Sequence, residues 1–394
     1  MLTQTTVGQA AEYFQLLSLE ASCDQQEFWD YLILHHDEKA YEFQELVSTV
    51  SKENQRIVYP TKNQDLQFSL DVAKMLADFY LHYCTWVSEA SYHPKRILDI
   101  GCDNGILTCF YAFLYPEAEV VGIDKTKDGI RIASELATRL GLTNITFQQM
   151  DYRNIRRLYP SDSFDMITSV RVFHEIIGTL PVPLYWSLEE FLRTSPLSSD
   201  YRYLEIIEEL LTEDGVYLST ERLESPAALG LWSNMLEAVD LSIDWESSSF
   251  IEFHETGVRQ KAPIVVATQS NRGKPTMEGI TQLYLRNVEN KAIGSFSSVA
   301  AELMFHQQEP KQFQTGRLLK FHDHWYQIRY EIWSTDTAIL VYGCGNMGYR
   351  KLEILPLAET EKAYLIVEEL FGQYSEQAAV GSYTSLEERE ELSD

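Results

Sequence analysis

The stretch "RILDIGCDNG", residues 96–105, runs from a short apolar strand signal into a turn carrying Gly101, Asp103 and Gly105. The apolar segment "ILTCFYAFLY" follows at once and reads as a helix, so the stretch opens a strand–turn–helix unit. The same alternation continues downstream. "AEVVGID" reads as a strand, and "KDGIRIASELATRLG" as a helix that stops at Gly141, a C-cap type of ending. "ITFQQMD" and "FDMITSVRV" read as a third and fourth strand, "GVYLSTER" as a fifth, and "SFIEFHE" with "APIVVATQ" as a closing hairpin. Repeated strand–helix units call for a parallel sheet covered by helices, an α/β fold.

On either side the pattern changes. Residues 1–92 carry apolar positions at helical spacing and read as an N-terminal helical cap or lid. "SNRGKPTMEG", residues 270–279, reads as a linker. Residues 280–374 read as a separate α+β domain, and the acidic 375–394 as a flexible tail. The αβ domain is thereby bounded at 93–269.

A second glycine turn, "AILVYGCGNMGYR" at 338–350, has the G-x-G-x-x-G spacing of a dinucleotide fingerprint. Its context does not suit that use. "HWYQIRYEIW" precedes it through the polar turn "STDT", which reads as an antiparallel hairpin, and "YRKLEILPL" follows without a helix. One nucleotide-type site, the first, is expected.

The 394-residue chain has a net charge of −27, which argues against nucleic acid as a partner unless a local basic patch exists. The candidates, Arg153, Arg156 and Arg157, and Arg317, Lys320 and Arg329, are sparse. No apolar run is long enough to span a membrane, no basic leader precedes the cap, and the five cysteines lack metal-type spacing. A cytoplasmic location is the simplest expectation. His322 and His324 alternate in "FHDHW" but have no third ligand in sequence, so no metal is expected.

Residues 96–269 resemble the class I S-adenosylmethionine-dependent methyltransferases, through four signals in order: the Asp99–Gly105 turn, Asp124 closing the second strand, Asp151 after the third, and "SFDMITSVRVFHEI" at the fourth. The resemblance implies a Rossmann-like sheet and S-adenosyl-L-methionine as cofactor. It implies that Asp99, with Gly101, Cys102, Asp103 and Gly105, borders the methionyl end, and that Asp124 accepts the ribose hydroxyls beside Lys125. Asp151 and the Tyr152 N–H would then read the adenine edge, with Arg171 at the end of the fourth strand. Asp103 stands where the family has a middle glycine, a departure that a residue tolerant of positive φ can carry. A nicotinamide enzyme is the rival at fold level, with Lys125 suited to a 2′-phosphate, but its fingerprint is absent from the first turn.

Methyl transfer to a small-molecule O, N or C acceptor, including a specialised metabolite or a carrier-bound intermediate, is the expected activity. His174 is the leading candidate base, with Glu175 and His254 as further candidates; structural hydrogen bonding, helix capping and simple exposure are their respective alternatives. Glu221 ends the fifth strand and pairs with Arg222 on the plainer reading. The run used for exocyclic base methylation is absent after the fourth strand. Aromatics at 180–211, among them Tyr185, Trp186, Phe191, Tyr201 and Tyr203, either roof an acceptor pocket with the cap or simply pack. The C-terminal domain weakly resembles a WGR-type module, with Tyr342-Gly343-Cys344 at its centre, and would mediate a protein contact or homodimer. Two other readings stay open: a cofactor-binding regulatory protein without turnover, and a protein or RNA methyltransferase guided by the C-terminal module.

Overall fold

Strand β1 (Arg96–Ile100) lies inside a mixed sheet with β2 (Glu119–Asp124), β3 (Ile145–Gln149), β4 (Phe164–Val170), β5 (Leu211–Thr220), β6 (Ser242–Ile243), β7 (Ser249–Glu255) and β8 (Val258–Thr268). The strand order in this computed structural model is β3-β2-β1-β4-β5-β8-β6, with β7 paired to β8. Residues 6–20, 24–49, 52–180, 182, 185–223, 225–269, 274–288, 293–321, 326–374 and 378–393 are described. The pairs from β3 through β5 are parallel, and β8 is antiparallel to β5, β6 and β7. The fold is therefore the α/β, Rossmann-like arrangement expected. The carboxyl ends of β1, β2 and β4 open at one edge, where such sheets bind ligands.

The chain forms two compact units. The first holds residues 1–180, 197–224 and 232–273. Among the described residues its six N-terminal helices begin at Thr6–Leu17 and end at Ala77–Glu89. Helices between these two gather Phe28, Trp29, Phe43 and Phe68 in a cluster of their own, whereas the first and last share one apolar core with the sheet: Tyr13, Phe79, Tyr83 and Val87 cluster with Ile97, Phe110, Val120 and Leu218. Each such side chain contributes ~1.5–3 kcal/mol by burial. The hydroxyls buried with them are satisfied, Tyr13 donating to the Ile106 carbonyl at 2.7 Å and Tyr83 meeting Tyr111 at 2.8 Å. This part of the cap is core, because a sheet face left bare would expose Ile97 and Val120.

The second unit holds residues 181–196, 225–231 and 274–394. Its sheet, all antiparallel, comprises β9 (Gly294–Ser297), β10 (Gln312–Phe321), β11 (Gln327–Ser334), β12 (Ala338–Gly345), β13 (Arg350–Pro356) and β14 (Ala378–Tyr383), in the order β14-β10-β11-β12-β13-β9. Helix Thr360–Tyr374 covers one face through Ala363, Val367 and Phe371, and helix Ser298–His306 the other through Ala301, Met304 and Phe305.

The antiparallel context expected of the second glycine turn is found, and two other readings are revised. The second glycine turn lies in β12, hydrogen-bonded on both sides to β11 and β13, with no helix at its third glycine. A Cβ on Gly343 would stand 2.6 Å from the Tyr330 ring, so this glycine serves cross-strand packing and leaves no room for a pyrophosphate. Residues 378–393, read as a tail, form β14 and helix Leu386–Ser393. Helix Thr276–Leu285 begins inside the segment read as a linker.

Tyr185, Trp186 and Phe191 belong to the second unit, so the aromatic insertion splits, with Tyr201 and Tyr203 in the first. The anchor is a buried Glu302–Arg350 ion pair at 2.9 Å, whose free atoms take up the insertion's backbone: Leu188 N–H donates to Glu302 at 2.8 Å and Arg350 donates to the Trp186 carbonyl at 3.2 Å. His322 and His324 lie outside the described residues. Among the described residues no helix is long and apolar enough to cross a membrane.

Candidate active site

The turn after β1 is built by two backbone donors. The Gly101 and Cys102 N–H groups donate to the Ile123 carbonyl at 2.8 and 3.0 Å, which pins the turn to β2. Gly101 takes φ +72°, and a Cβ there would lie 1.9 Å from Val172 Cγ2. Gly105 takes φ +78°, and its Cβ would lie 2.6 Å from that of Ala133. Both positions demand glycine twice over, by conformation and by space.

Asp103 also has positive φ, 45°, and its carboxylate explains why it replaces a glycine. It forms an ion pair with Lys62 and accepts from Asn63 Nδ2 at 2.7 Å. Asn63 is fully buried and is itself held by Ser69 at 2.8 Å, which in turn accepts from Asn104 at 3.0 Å. The cap thus joins the turn through a closed polar network, and the departure is a docking point.

The acids fall at the strand ends. Asp99 is 3 % exposed and accepts from Thr108 Oγ1 at 2.5 Å and Thr168 Oγ1 at 2.9 Å. Burial raises its carboxyl to about 6, against the pull of those two hydroxyls and helped by the Asp124 charge. Asp124 Oδ1 accepts from the Thr126 N–H at 2.7 Å and its hydroxyl at 2.6 Å, and Oδ2 from the Asp103 N–H at 3.1 Å. Burial likewise pushes Asp124 up. Asp151 caps the segment Tyr152–Arg157 and binds the Arg153 guanidinium, which holds its carboxyl down to about 2. Tyr152 is buried and donates to the Tyr203 carbonyl at 2.7 Å. Cys102 is buried and Lys125 exposed.

The end of β4 is clamped by a carboxylate that sequence reading placed only as a strand-end acid. Glu221, 4 % exposed, accepts from the Val172 and Phe173 N–H groups at 2.9 Å each and from Ser169 Oγ at 2.8 Å. This fixes the start of helix Phe173–Ile177 and so the place of His174. Burial, then the Arg222 charge, lowers His174 to about 4, with the Glu175 charge opposing and Arg171 adding to the depression. Its Nδ1 is buried and has no hydrogen-bond partner among the described residues, while Nε2 lies 3.5 Å from Glu175 Oε1. Arg171 has φ 55°, pairs with Glu255 at 2.8 Å and lies 5.0 Å from the Phe79 ring centroid.

These groups surround one cavity of about 340 Å³, the size of a small-ligand site. Its lining takes in Asp99 to Asn104, Asp124, Lys125, Asp151 to Arg153, Arg171, His174, Glu175, Tyr203 and Arg222, with Tyr59, Lys62 and Tyr80 contributed by the cap. Gly105 lies just beyond that wall, at the start of helix Ile106–Leu114. His254 is the exception among the candidates. It projects from β7 with its side chain 62 % exposed, 3.5 Å from Asp78, and does not line the cavity. The Lys62, Asn63 and Tyr59 contributions were not legible, since nothing in the cap's helical spacing marks which polar residues face a turn some forty positions on.

Among the described residues no group of three His, Cys, Asp or Glu could hold a metal ion. The glycine cradle, the buried Asp99 and the strand-end Asp124 fit a nucleoside cofactor with a cationic end.

The profile described as "Methyltransferase domain" matches residues 93–257. An uncharacterized methyltransferase of Bacillus subtilis, YcgJ, is 38% identical over 73 residues, 18% of this chain and 27% of that protein. The crystal structure of YcgJ aligns with 18% identity and a TM-score of 0.33, covering 48% of this chain and 100% of that one. The malonyl-[acyl-carrier protein] O-methyltransferase of Bacillus cereus is 35% identical over 78 residues, 20% of this chain and 27% of its own. The ubiquinone biosynthesis O-methyltransferase of Nitrosococcus oceani is 36% identical over 89 residues, 23% of this chain and 36% of its own. The matched stretch spans about a quarter of the length of the first curated relatives. Residues 93–257 are a class I methyltransferase domain of the S-adenosylmethionine-dependent family.

Proposed function

We propose that the chain transfers a methyl group from S-adenosylmethionine to a small-molecule O, N or C acceptor. The observation that carries this is the shared cavity in which Asp99, Asp124 and Asp151 line walls with His174 and with Tyr59, Lys62 and Tyr80 of the cap. The bound cofactor supplies a methyl group on a sulfonium, whose transfer is an in-line displacement that depends on alignment. Asp99 faces the cationic amino end, Asp124 accepts the ribose hydroxyls, and Asp151 with the Tyr152 N–H meets the adenine edge. Gly101 and Gly105 let the backbone come close. His174, held neutral and lining the cavity, is the group that would take a proton leaving the acceptor. O-methylation of small or carrier-bound molecules gains support from the two relatives named as O-methyltransferases.

The rival reading, a regulatory protein without turnover, rests on Asp103 as a damaged turn and on the unassigned catalytic base. Its ion pair to Lys62 and bond to Asn63 give that residue a structural task and count against damage. Calorimetric titration with S-adenosylmethionine and its demethylated product, with NADH as control, tests the cofactor. Micromolar binding of the first two alone is expected; binding of NADH alone, or of none, would overturn the reading.

Two finer results are expected of the same titration. Asp124→Ala weakens cofactor binding ~10–100-fold through the lost charge-assisted bonds; unchanged affinity discards the ribose role. The Asp99 carboxyl titrates at about 6, so protons compete with the cofactor's ammonium below that value. Affinity is fully present above pH 7 and falls as pH falls, roughly tenfold by pH 5. A pH-independent affinity over that window would remove Asp99 from the amino end.

A further inference from the structure

The cations around the cavity are unequally provided for. Lys62 has Asp103, Arg153 has Asp151, and Arg171 has Glu255. Lys125 stands next to Asp124, at the ribose end. Arg222 lines the cavity and has no ion pair or hydrogen bond among the described residues. Its position is not loose, because the preceding residue, Glu221, is buried and bonded to the Val172 and Phe173 N–H groups, directly before His174. The backbone clamp therefore holds the exposed Arg222, with the charge of the buried Glu221 next to it in the chain, at the His174 end of the cavity. In a chain of net charge −27 the general field repels anions, so an anionic ligand needs such a local cation to be retained.

Resting on the methyltransferase reading, we infer that the acceptor bears a carboxylate, and that Arg222 receives it beside His174. A guanidinium presents two parallel N–H donors to a carboxylate, which fixes orientation as well as charge. Bound this way, the acceptor is anchored at one end while its nucleophilic atom is free to approach the methyl group.

The test uses the full chain saturated with the demethylated cofactor product, and two probes of one shape, 4-hydroxybenzoate and its methyl ester. Binding is followed by calorimetry and by the NMR titration of His174, assigned with His174→Ala. The acid is expected to bind ~10-fold or more tightly than the ester, the strength of a charge-assisted pair. It also moves the His174 titration upward, because it neutralises the positive charge that now depresses it. Arg222→Gln raises the His174 titration by itself, equalises the two probes and abolishes the acid's effect, and Arg222→Lys restores part of the preference. Equal binding of acid and ester to the unaltered chain, or a preference that survives Arg222→Gln, overturns the assignment. Methyl transfer from S-adenosylmethionine to either probe is scored separately. Selective acid binding with no transfer to any acceptor leaves the anion site standing and removes the enzyme reading. Transfer that favours neutral acceptors before and after Arg222→Gln does the reverse.

Discussion

Gly101→Ala is expected to cost about 2–5 kcal/mol of folding stability and to abolish measurable cofactor binding. The residue has φ +72°, where an alanine loses ~1–2 kcal/mol to contact between its Cβ and the following carbonyl. Space adds to this, since the new methyl would stand 1.9 Å from Val172 Cγ2, inside any tolerable contact. Overpacking of that kind costs ~1–3 kcal/mol when neighbours must move. Val172 cannot move freely, because its N–H is bonded to the buried Glu221. The disturbance therefore reaches both walls of the cavity, the turn beneath the cofactor and the segment carrying His174. Gly141→Ala is the control. It has φ +70° with nothing within 4 Å of its would-be Cβ, so it carries the conformational cost alone. Urea midpoints of the two variants separate the contributions. Equal midpoints would mean that the Val172 contact yields easily, and the close packing of turn and fourth strand would lose its claim on cofactor affinity.

That close packing shows what the sequence makes legible. Glycines at 101 and 105 and acids at 99, 124 and 151 stand at or just after strand ends, where apolar runs can be counted, so their order was legible from local pattern and their grouping from the family resemblance. What was not legible depends on contacts across long separations. Asp103 looked like a defect until Lys62 and Asn63 were placed against it, some forty residues away in the chain. Glu221 read as one strand-end acid among others until its oxygens were found on three donors from the β4 end. The insertion aromatics divided between two units because Arg350 and Glu302, which anchor residues 185–188, come from a different stretch of chain. Charge offered little help in the same way: three of the sparse arginines that could have served nucleic acid are engaged. Arg156 pairs with Glu209, Arg317 with Glu368, and Arg329 is 5 % exposed with the Trp186 ring centroid 3.9 Å from its guanidinium carbon.

His174→Ala is expected to lower turnover ~10²–10⁴-fold, the usual contribution of a positioned base, while cofactor affinity changes by no more than about twofold. The asymmetry follows from placement. His174 lines the cavity on the segment after β4, whereas the acids assigned to the cofactor lie at the ends of β1, β2 and β3. Its depressed titration also sets a pH signature. A histidine at about 4 is neutral throughout the physiological range, so no activity limb at the ordinary imidazole value should appear. The limb should instead fall near pH 4, and Arg222→Gln should move it upward by removing the second cause of the depression. The same shift contributes to stability, with the sign fixed by linkage. The unfolded chain binds a proton at His174 more readily than the folded one, so this contribution is present above the ordinary imidazole value and is lost as pH falls toward 4. Replacement by alanine should therefore flatten the unfolding profile between those limits. That readout does not require turnover, so it checks the titration of His174 independently, and turnover then decides the residue's role. A variant with full activity and a flattened profile would leave His174 as scaffold. A variant with lost turnover and a flattened profile would identify it as the group that takes the proton.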